Sequence, residues 1–265
     1  MGEYVPNEQL ENQTVVRKYR ELLEVVYPRT DAEERKQIRK AFVLATNAHF
    51  GVRRKSGEPY IYHPIAVAMI CCSEMSLGAT SVICALLHDV VEDTDYTLDD
   101  MRELFGDVVA NIIDGLTKID DLVVDNQNIS LQAENFKKIF LSMSKDVRVI
   151  LIKLADRLHN LRTLQYQTAE KQVEKARETM DIYAPLANRL GISKIQVEMD
   201  DLCMQYLYPD IYRDIRDKLD EMLSERGDFI NEIVAEEDGT IAEICVRNGQ
   251  VVEYGTVLFR LGEEK

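Results

Sequence analysis

The chain is poor in basic residues, glycine and proline, and it lacks a long uncharged apolar run. Its 265 residues include 32 Lys and Arg against 47 Asp and Glu, for a formal net charge of −15. Nucleic acid polymers are bound through clustered Lys and Arg, so this balance argues against such a partner. No uncharged apolar run approaches the roughly 18 residues of a membrane helix, so we expect no membrane span. With 46% hydrophobic residues, the composition is that of a globular chain long enough for one large or two small domains.

The cysteines are few and odd in number, and none forms a CxxC pair. Most of them lie in apolar segments with helical periodicity, so we expect reduced thiols and no disulfide framework. The N-terminal residues lack the charged and then apolar pattern of a secretory signal. Together these features predict a cytoplasmic protein. The five cysteines are Cys71, Cys72, Cys84, Cys203 and Cys245.

Hydrophobic periodicity predicts a mainly α chain up to about residue 232. Residues 119–130 are acidic and irregular, and we expect them to form a mobile loop. After residue 233 apolar and polar residues alternate around a hairpin turn at Asn248-Gly249, which predicts a small β tail with strands over 239–246, from 251, and over 257–261. The predicted helices cover two segments within 14–50, and then 64–76, 79–92, 98–105, 108–118, 131–143, 145–164, 168–189 and 194–232.

Capping residues mark several of these helix ends. Thr30 or Asp31 is suited to cap the second helix, and Thr97 is suited to cap the helix that Gly106 ends. Pro64 suits the first turn of a helix. We therefore expect His63 at or just before a helix start, where its ring can point into a cleft.

One core helix carries residues that resist burial. Residues 82–91 are apolar nearly all round, as in a buried helix, yet His88 and Asp89 interrupt them and Glu92 and Asp93 follow. At a spacing of four residues, His88 lies above Glu92, and Asp89 lies above Asp93. Burial of these groups costs several kcal/mol unless they are compensated. A bound metal cation that adjacent N and O ligands share would compensate them.

A second helix repeats this anomaly. Residues 149–154 are strongly apolar, and then Asp156, Asn160 and Thr163 fall on one helical face, which continues back to Lys153. A charged stripe facing solvent is an equal explanation for Lys153 and Arg157. It explains Asp156 less well, because Asp156 interrupts the helix where burial should continue.

Two imidazoles and two carboxylates from these segments form a candidate metal site. Nitrogen and oxygen donors of this kind favour manganese or iron over the thiolate-rich sites that zinc prefers. Two further carboxylates lie one turn on, where they could hold a water or accept its proton. The candidate ligands are His63, His88, Asp89 and Asp156, and the further carboxylates are Glu92 and Asp93.

Several unlinked motifs, in order over residues 14–230, resemble the HD-type hydrolase domain of the RelA/SpoT alarmone enzymes. The resemblance implies an HD-domain helical bundle that removes the 3′-pyrophosphate of (p)ppGpp in the stringent response, with Mn²⁺ as cofactor and GDP or GTP and pyrophosphate as products. The motifs are RRKSGEPY at 53–60, His63-Pro64, LLHDVVEDT at 86–94, DGLTK at 114–118, KLADRLHNLRT at 153–163 and YAPLANRLGI at 183–192.

The same resemblance assigns a role to each matching position. It implies that His63, His88, Asp89 and Asp156 bind the metal, and that Glu92 and Asp93 activate and orient the attacking water. It implies that Arg54, Lys55 and Ser56 lie along the guanine and phosphates, and that Asn160 and Thr163 contact ribose or phosphate. A polyanion that approaches an acidic protein needs a local cation cluster, which Arg53, Arg54, Lys55 and the metal would supply. His49 and His159 fall outside the metal set, and we expect both to be hydrogen-bonded core histidines.

The resemblance divides the chain into three parts. Residues 1–193 form the hydrolase domain, and residues 194–232 resemble the helical lead-in to a synthetase domain whose basic catalytic motif is absent. We therefore expect this chain to hydrolyse and not to synthesise alarmone. Residues 233–265, with the segment just before them, resemble the second half of a biotinyl/lipoyl carrier domain, but Asp228 occupies the position of the modified lysine. We expect no biotin attachment; a natural fusion, a tag and a strand-swapped dimer element all remain open, the last giving a possible homo-oligomer.

Two other functions are compatible with these motifs. The metal site could act on another phosphorylated nucleotide, although the Arg-Lys-Ser and Asp-x-x-x-Asn-x-x-Thr patterns argue against this. Alternatively, the domain could be an autoinhibited or binding-only regulatory module of a longer bifunctional enzyme. In that case the loop at 119–130 would be a candidate gate between active and resting states.

Overall fold

The structure is a computed structural model that describes residues 8–124, 146–231, 240–245 and 259–262. In these ranges the chain is almost entirely helical as far as residue 231, which confirms the mainly α prediction. The helices are α1 Glu8–Val26, α2 Ala32–Ala48, α3 Tyr62–Met69, α4 Ala79–Leu87, α5 Val90–Asp93, α6 Leu98–Phe105, α7 Asp107–Val124, α8 Val147–Arg162, α9 Ala169–Glu178, α10 Ala184–Arg189, α11 Ser193–Leu207 and α12 Pro209–Asn231. Strands β1 Thr240–Ile244 and β2 Phe259–Gly262 follow.

The chain divides into two compact units, Met1–Pro209 and Asp210–Lys265. The core of the first unit extends into α11 through the buried side chains of Ile195, Met199 and Cys203. In the second unit, β1 and β2 pair in an antiparallel register that sets Ile244 opposite Phe259. The predicted domain boundaries after residues 193 and 232 stay predictions. Among the described residues, no helix combines the length and the apolar character that crossing a membrane requires.

The predicted helix caps form as expected. Asp31 caps α2 and Thr97 caps α6, each in a capping box with the third residue of its helix. Gly106 ends α6 with a φ of 85°, a conformation that glycine adopts without steric cost. Pro64 lies in the first turn of α3, and His63 is the second residue of this helix rather than the residue before it.

Helix α4 is the centre of the first unit. Eight of its nine residues are buried, and it packs against α2, α3, α7 and α8. Burial on all sides is what its continuous apolar pattern predicts. The C-terminal end of α4 therefore delivers His88, the next residue, to the interior of the bundle.

The predicted helix over 79–92 is interrupted. α4 ends at Leu87 and α5 begins at Val90, so His88 and Asp89 lie in a break between two helices. The apolar pattern gave no sign of this break, because it continues through Val90 and Val91.

The predicted loop over 119–130 is wrong at its start. α7 continues as a helix to Val124, and Ile119 is fully buried. The physical reason is that Leu116, Ile119 and Val123 keep helical spacing, and two adjacent acidic residues do not end a helix. The remainder of the predicted loop lies outside the described residues, as do the predicted helix over 131–143 and the hairpin turn at residues 248 and 249.

Other predicted helices are shorter or divided. The prediction over 64–76 corresponds to α3 followed by a π-helical turn, Ile70–Glu74. The prediction over 168–189 corresponds to α9, a second π-helical turn, Thr179–Tyr183, and α10. The prediction over 194–232 is divided at Tyr208 into α11 and α12.

A glycine brings α7 and α8 close together. A Cβ at Gly115 would lie 2.9 Å from a Val149 methyl group, so any larger residue here requires the Val149 side chain or α8 to shift. Because α8 also carries Asp156, this contact helps to set where that carboxylate lies.

Candidate active site

The four predicted metal ligands converge from three helical segments. His63 comes from the start of α3, His88 and Asp89 from the break after α4, and Asp156 from the middle of α8. The Nε2 atoms of His63 and His88 lie 3.2 Å apart. Asp156 Oδ1 is 3.2 Å from His63 Nε2 and 3.8 Å from His88 Nε2. Asp89 Oδ2 is 3.0 Å from His88 Nε2 and 3.7 Å from His63 Nε2.

These distances fit a shared divalent cation. Donor atoms about 2.1 Å from one ion in octahedral geometry lie about 3.0 Å from their neighbours. His63, His88 and Asp156 form a buried group whose donor atoms lie within 4.8 Å of one another. Two imidazoles with carboxylates are a donor set for first-row divalent metals. The residues therefore fit a divalent metal ion, and their chemistry alone does not select which one.

Electrostatic interactions inside the cluster keep its carboxylates ionised. Burial opposes the ionised form of Asp156, but Lys153 and the two imidazoles outweigh it and hold the pKa of Asp156 well below its usual value. Burial lowers the pKa of His63. For His88 burial acts in the same direction, but Asp89 and Asp156 raise its pKa well above the ordinary value. The cluster thus attracts positive charge, and a metal ion competes with a proton for the His88 lone pair.

Neighbouring groups orient three of the four ligands. His88 Nδ1 donates to the Ala85 carbonyl oxygen at 2.8 Å, so its Nε2 lone pair is directed to the cluster. Tyr60 Oη donates to Asp89 Oδ2 at 2.6 Å. Asp156 receives two donors: Lys153 Nζ lies 3.1 Å from Oδ2, and Asn160 Nδ2 donates to Oδ1 at 2.7 Å. The predicted site residue Asn160 therefore contacts a candidate metal ligand directly.

The fourth ligand has an unexpected neighbour. His63 Nδ1 lies 2.8 Å from His159 Nδ1, so these two nitrogens share a hydrogen bond. Burial next to His63 and Arg54 lowers the pKa of His159 to about 2, which keeps its ring neutral. His159 was expected to be a hydrogen-bonded histidine outside the ligand set, and its contact with His63 was not predicted. The available sequence signal was its position three residues after Asp156, on the same side of α8.

The two carboxylates beyond the ligands lie in different places. Glu92 is exposed, and it lines a cavity of about 570 Å³ with His63, Asp89 and Lys55. Asp93 is also exposed, and its Oδ2 lies 3.9 Å from His49 Nε2. Both are expected to act on the attacking water, and Glu92 is the one that lines the cavity of the ligand cluster.

His49 has the environment of a core histidine. Its ring is buried, its Nδ1 donates to the Ala45 carbonyl oxygen at 3.0 Å, and it stacks on Tyr60 with 4.6 Å between ring centroids. Since Tyr60 holds Asp89, His49 supports the site from behind rather than from within it.

The turn over residues 52–60 presents Arg54 to α8. Arg54 Nη2 donates to Asn160 Oδ1 at 2.8 Å and to Thr163 Oγ1 at 3.4 Å. The turn needs glycine at Gly57, which has a φ of 88°. Asn160 thus accepts from Arg54 and donates to Asp156, and this amide links the cationic turn to the ligand cluster.

The other polar residues of this turn have separate partners. Arg53 forms a bidentate pair with Glu11, with both N–O distances at 3.0 Å, so an acidic side chain compensates its charge. Ser56 Oγ donates to Glu58 Oε2 at 3.2 Å. Lys55 lines the 570 Å³ cavity. Three cations of this turn were expected near the substrate. The charge of Arg53 is compensated by Glu11, so Arg54 and Lys55 contribute more of the positive charge available to a substrate.

A profile of the HD domain matches residues 41–193, more than half of the chain and the segment that carries all four candidate ligands. This chain belongs to the HD domain family. A profile of the biotin-requiring enzymes matches residues 229–261, which confirms the predicted likeness of the β tail. The HD match confirms the predicted family and the HD-type helical fold.

Curated proteins and a solved structure are similar to this HD domain. The bifunctional (p)ppGpp synthase/hydrolase SpoT of Escherichia coli K12 is 46% identical over 208 residues, covering 78% of this chain and 29% of that protein. The GTP pyrophosphokinase of Streptomyces coelicolor is 45% identical over 203 residues, covering 77% of this chain and 24% of that protein. The chain therefore spans less than a third of the length of these relatives.

The solved structure is described as a metazoan ortholog of SpoT that hydrolyses ppGpp. It is 27% identical to this chain, with a TM-score of 0.52, and the match covers 66% of this chain and 96% of that one. The helical fold of the HD domain is thus shared with a protein that spans little more than the matched region.

A second cavity adjoins the ligand cluster of the HD domain. It has a volume of about 360 Å³ and shares Arg54, Asp156 and Asn160 with the larger cavity. Its other walls include Thr163, Lys171 and Lys175. The site therefore combines a candidate divalent metal centre with a neighbouring cationic recess, a combination suited to a small ligand that carries several phosphates.

Proposed function

We propose that this HD domain hydrolyses (p)ppGpp to GDP or GTP and pyrophosphate in a metal-dependent reaction of the stringent response. The observation that carries the proposal is the convergence of His63, His88, Asp89 and Asp156 beside a cationic recess. The names of the relatives support the substrate, because SpoT is named for the synthesis and hydrolysis of (p)ppGpp and the metazoan ortholog for hydrolysis of ppGpp. We assign the hydrolytic activity to this chain, since the ligand cluster lies within the matched region.

We propose Mn²⁺ as the ion that His63, His88, Asp89 and Asp156 hold. Imidazole nitrogens together with carboxylate oxygens suit Mn²⁺, and no cysteine lies in this cluster. When bound, a divalent cation would supply Lewis acidity, neutralising phosphate charge and making water a stronger nucleophile.

Two carboxylates of the chain, Glu92 and Asp93, would act on the attacking water. In the proposed reaction, water oxygen bonds to the phosphorus that the 3′ oxygen carries, the bond between that phosphorus and the 3′ oxygen breaks, and the 3′ oxygen gains a proton. Glu92 lines the cavity of the ligands, and we propose that its carboxylate takes the proton from water. Asp93 would orient this water. The buried His49 ring, whose Nε2 lies 3.9 Å from Asp93 Oδ2, would limit the movement of the Asp93 side chain.

The nucleotide would lie along the turn over 52–60 and the face of α8. Arg54 and Lys55 would pair with phosphates, and Asn160 and Thr163 would contact ribose or phosphate from the wall of the recess. Ser56 remains a proposed contact to guanine or phosphate. The Arg54–Asn160 hydrogen bond would fix the spacing between the turn over 52–60 and α8 before substrate arrives.

We propose a cytoplasmic location, no nucleic acid polymer as partner, and self-association through the β tail as a possible assembly. All five cysteines lie in the described part of the chain and are free thiols, which suits a reducing compartment. The net charge of −15 opposes binding to a polyanionic polymer.

The direct test is the release of pyrophosphate from purified ppGpp. The chain is treated with a chelator, and Mn²⁺, Mg²⁺ or Zn²⁺ is then added back singly, with GDP alone as the substrate control. We expect GDP and pyrophosphate in equal amounts, and the highest rate with Mn²⁺. Tight ppGpp and Mn²⁺ binding without release would instead support the binding-only regulatory module, and equal release from unrelated nucleotides would contradict the substrate.

A further inference from the structure

The contact between His159 and His63 differs from the contacts of the other candidate ligands. The two Nδ1 atoms lie 2.8 Å apart, and the ring centroids lie 4.9 Å apart with a tilt of 44°. His88 has a backbone carbonyl oxygen as its partner, which can only accept. His63 instead faces a ring nitrogen that can donate or accept according to its tautomer.

Metal binding at His63 determines whether His159 Nδ1 donates or accepts this hydrogen bond. A cation takes the Nε2 lone pair of His63, so the single proton of the neutral ring must be on Nδ1. This N–H can only donate to His159 Nδ1, which must therefore carry a lone pair. The single proton of His159 is then on its own Nε2.

The surroundings of His159 suit this arrangement. His159 is half-buried and lines a separate cavity of about 190 Å³ with Lys18, Tyr62 and Arg162. His159 therefore contacts His63 and also borders the 190 Å³ cavity. α8 carries both Asp156 and His159, so one rigid helix supplies a ligand and the partner of another ligand.

We propose that His159 is a positioning residue for the metal centre: its Nδ1 accepts the His63 Nδ1 proton and directs the His63 Nε2 lone pair to the cation. The inference deepens the proposed function, because it rests on the proposed metal site. His159 touches neither the metal nor the substrate in this role. It fixes the tautomer and ring orientation of a ligand, as outer partners of metal-bound histidines do.

Two substitutions of similar shape separate the effect of losing the hydrogen-bond acceptor at His159 from the effect of losing side-chain volume. In His159→Asn, Oδ1 occupies the position of Nδ1 along the side chain and keeps an acceptor there. In His159→Leu, a methyl group takes that position. Thr179→Val is the matched control, because it removes a hydrogen bond from the buried Thr179 Oγ1 to the Lys175 carbonyl oxygen, and neither residue belongs to the candidate ligand set.

The measurement is the Mn²⁺ dissociation constant of the full chain by calorimetry, without nucleotide. We expect His159→Leu to weaken Mn²⁺ binding about 10- to 100-fold, and His159→Asn to stay within about 3-fold of the unsubstituted chain. Thr179→Val should leave the constant unchanged. Equal Mn²⁺ affinity in the Leu variant and the unsubstituted chain would overturn the proposal.

A second readout does not require the Leu variant to fold. The unsubstituted chain, labelled with ¹⁵N at histidine and loaded with Zn²⁺ as a diamagnetic probe, should show a protonated Nδ1 on His63 and a protonated Nε2 on His159. A proton on His159 Nδ1 would contradict the proposal. Because neither readout uses ppGpp, a chain that binds Mn²⁺ but fails to hydrolyse ppGpp would refute the proposed function and leave this inference standing.

Discussion

Four residues in one short stretch divide into a buried pair and an exposed pair. His88 is buried and the side chain of Asp89 is 19% exposed, whereas Glu92 and Asp93 are both exposed. His88 and Asp89 lie in the break between α4 and α5, whereas Glu92 and Asp93 lie in α5. A continuous helix would have placed His88 above Glu92 and Asp89 above Asp93 on shared faces.

This difference separates two chemical tasks. Metal ligands benefit from burial, because a low dielectric strengthens their attraction to a cation and nearby donors can fix their orientation. An acid that exchanges protons with water needs access to solvent, and Glu92 has it at the edge of the same cavity. Residues close together in the chain therefore supply both the candidate ligands inside and the proposed base at the edge of one cavity.

The largest expected effect comes from breaking the buried pair. His88→Ala removes a candidate ligand and the group that contributes most to keeping Asp89 ionised. We expect Mn²⁺ affinity to fall by more than about 100-fold, beyond the effect of losing an outer partner, and pyrophosphate release to be abolished. Calorimetry with Mn²⁺ measures the first result. Thr179→Val is the control, since it changes a buried polar residue outside the candidate ligand set and should keep the Mn²⁺ affinity within a few-fold.

A smaller effect is expected at the cationic turn, where two adjacent arginines differ. Arg54→Ala should raise the KM for ppGpp about 10- to 100-fold, because it removes the proposed charged contact to phosphate and the hydrogen bond that anchors Asn160. Arg53→Ala should change KM by less than about 3-fold, since Arg53 pairs with Glu11, and should cost about 1 kcal/mol of stability. Steady-state kinetics and urea unfolding of both variants measure these changes. Equal KM values for the two variants would remove Arg54 from the substrate site.

The smallest expected effect concerns the scaffold behind the ligands. Gly115→Ala forces a methyl group against Val149 and should lower the unfolding free energy by about 1 kcal/mol, since the overpacking exceeds the gain in helix propensity. Gly78→Ala is the control, because a Cβ at Gly78 meets nothing within 4 Å. Thermal unfolding measures both variants. A Gly115→Ala variant as stable as the Gly78→Ala variant would show that α7 and α8 are not held at a fixed distance.

The sequence indicates the candidate ligands but does not indicate their neighbours. His88, Asp89 and Asp156 are recognisable because each interrupts an apolar helix where burial continues. The helix break before Val90 is not recognisable, because the apolar pattern runs through it without interruption. Helix α7 extends beyond its predicted end because its apolar residues keep helical spacing. The prediction ended it too early because the acidic residues in this segment suggested a loop.

Contacts between distant segments were beyond the reach of pattern analysis. The pair of Arg53 with Glu11 joins residues 42 positions apart, and the pair of His63 with His159 joins residues 96 positions apart. Neither contact follows from periodicity, since each depends on how complete helices pack. Histidine partners are especially hard to predict, because the same residue type serves as a ligand, an outer partner or a core residue.

The most direct test of this division is a pair of measurements on the single variant Glu92→Gln: Mn²⁺ binding by calorimetry and pyrophosphate release from ppGpp. The substitution keeps the size of the side chain and removes the group that accepts a proton. We predict one Mn²⁺ bound with an affinity within about 3-fold of the unsubstituted chain, together with a rate of release reduced at least about 100-fold. Release at the unsubstituted rate, or loss of Mn²⁺ binding, would contradict the proposed separation of buried ligands from an exposed general base.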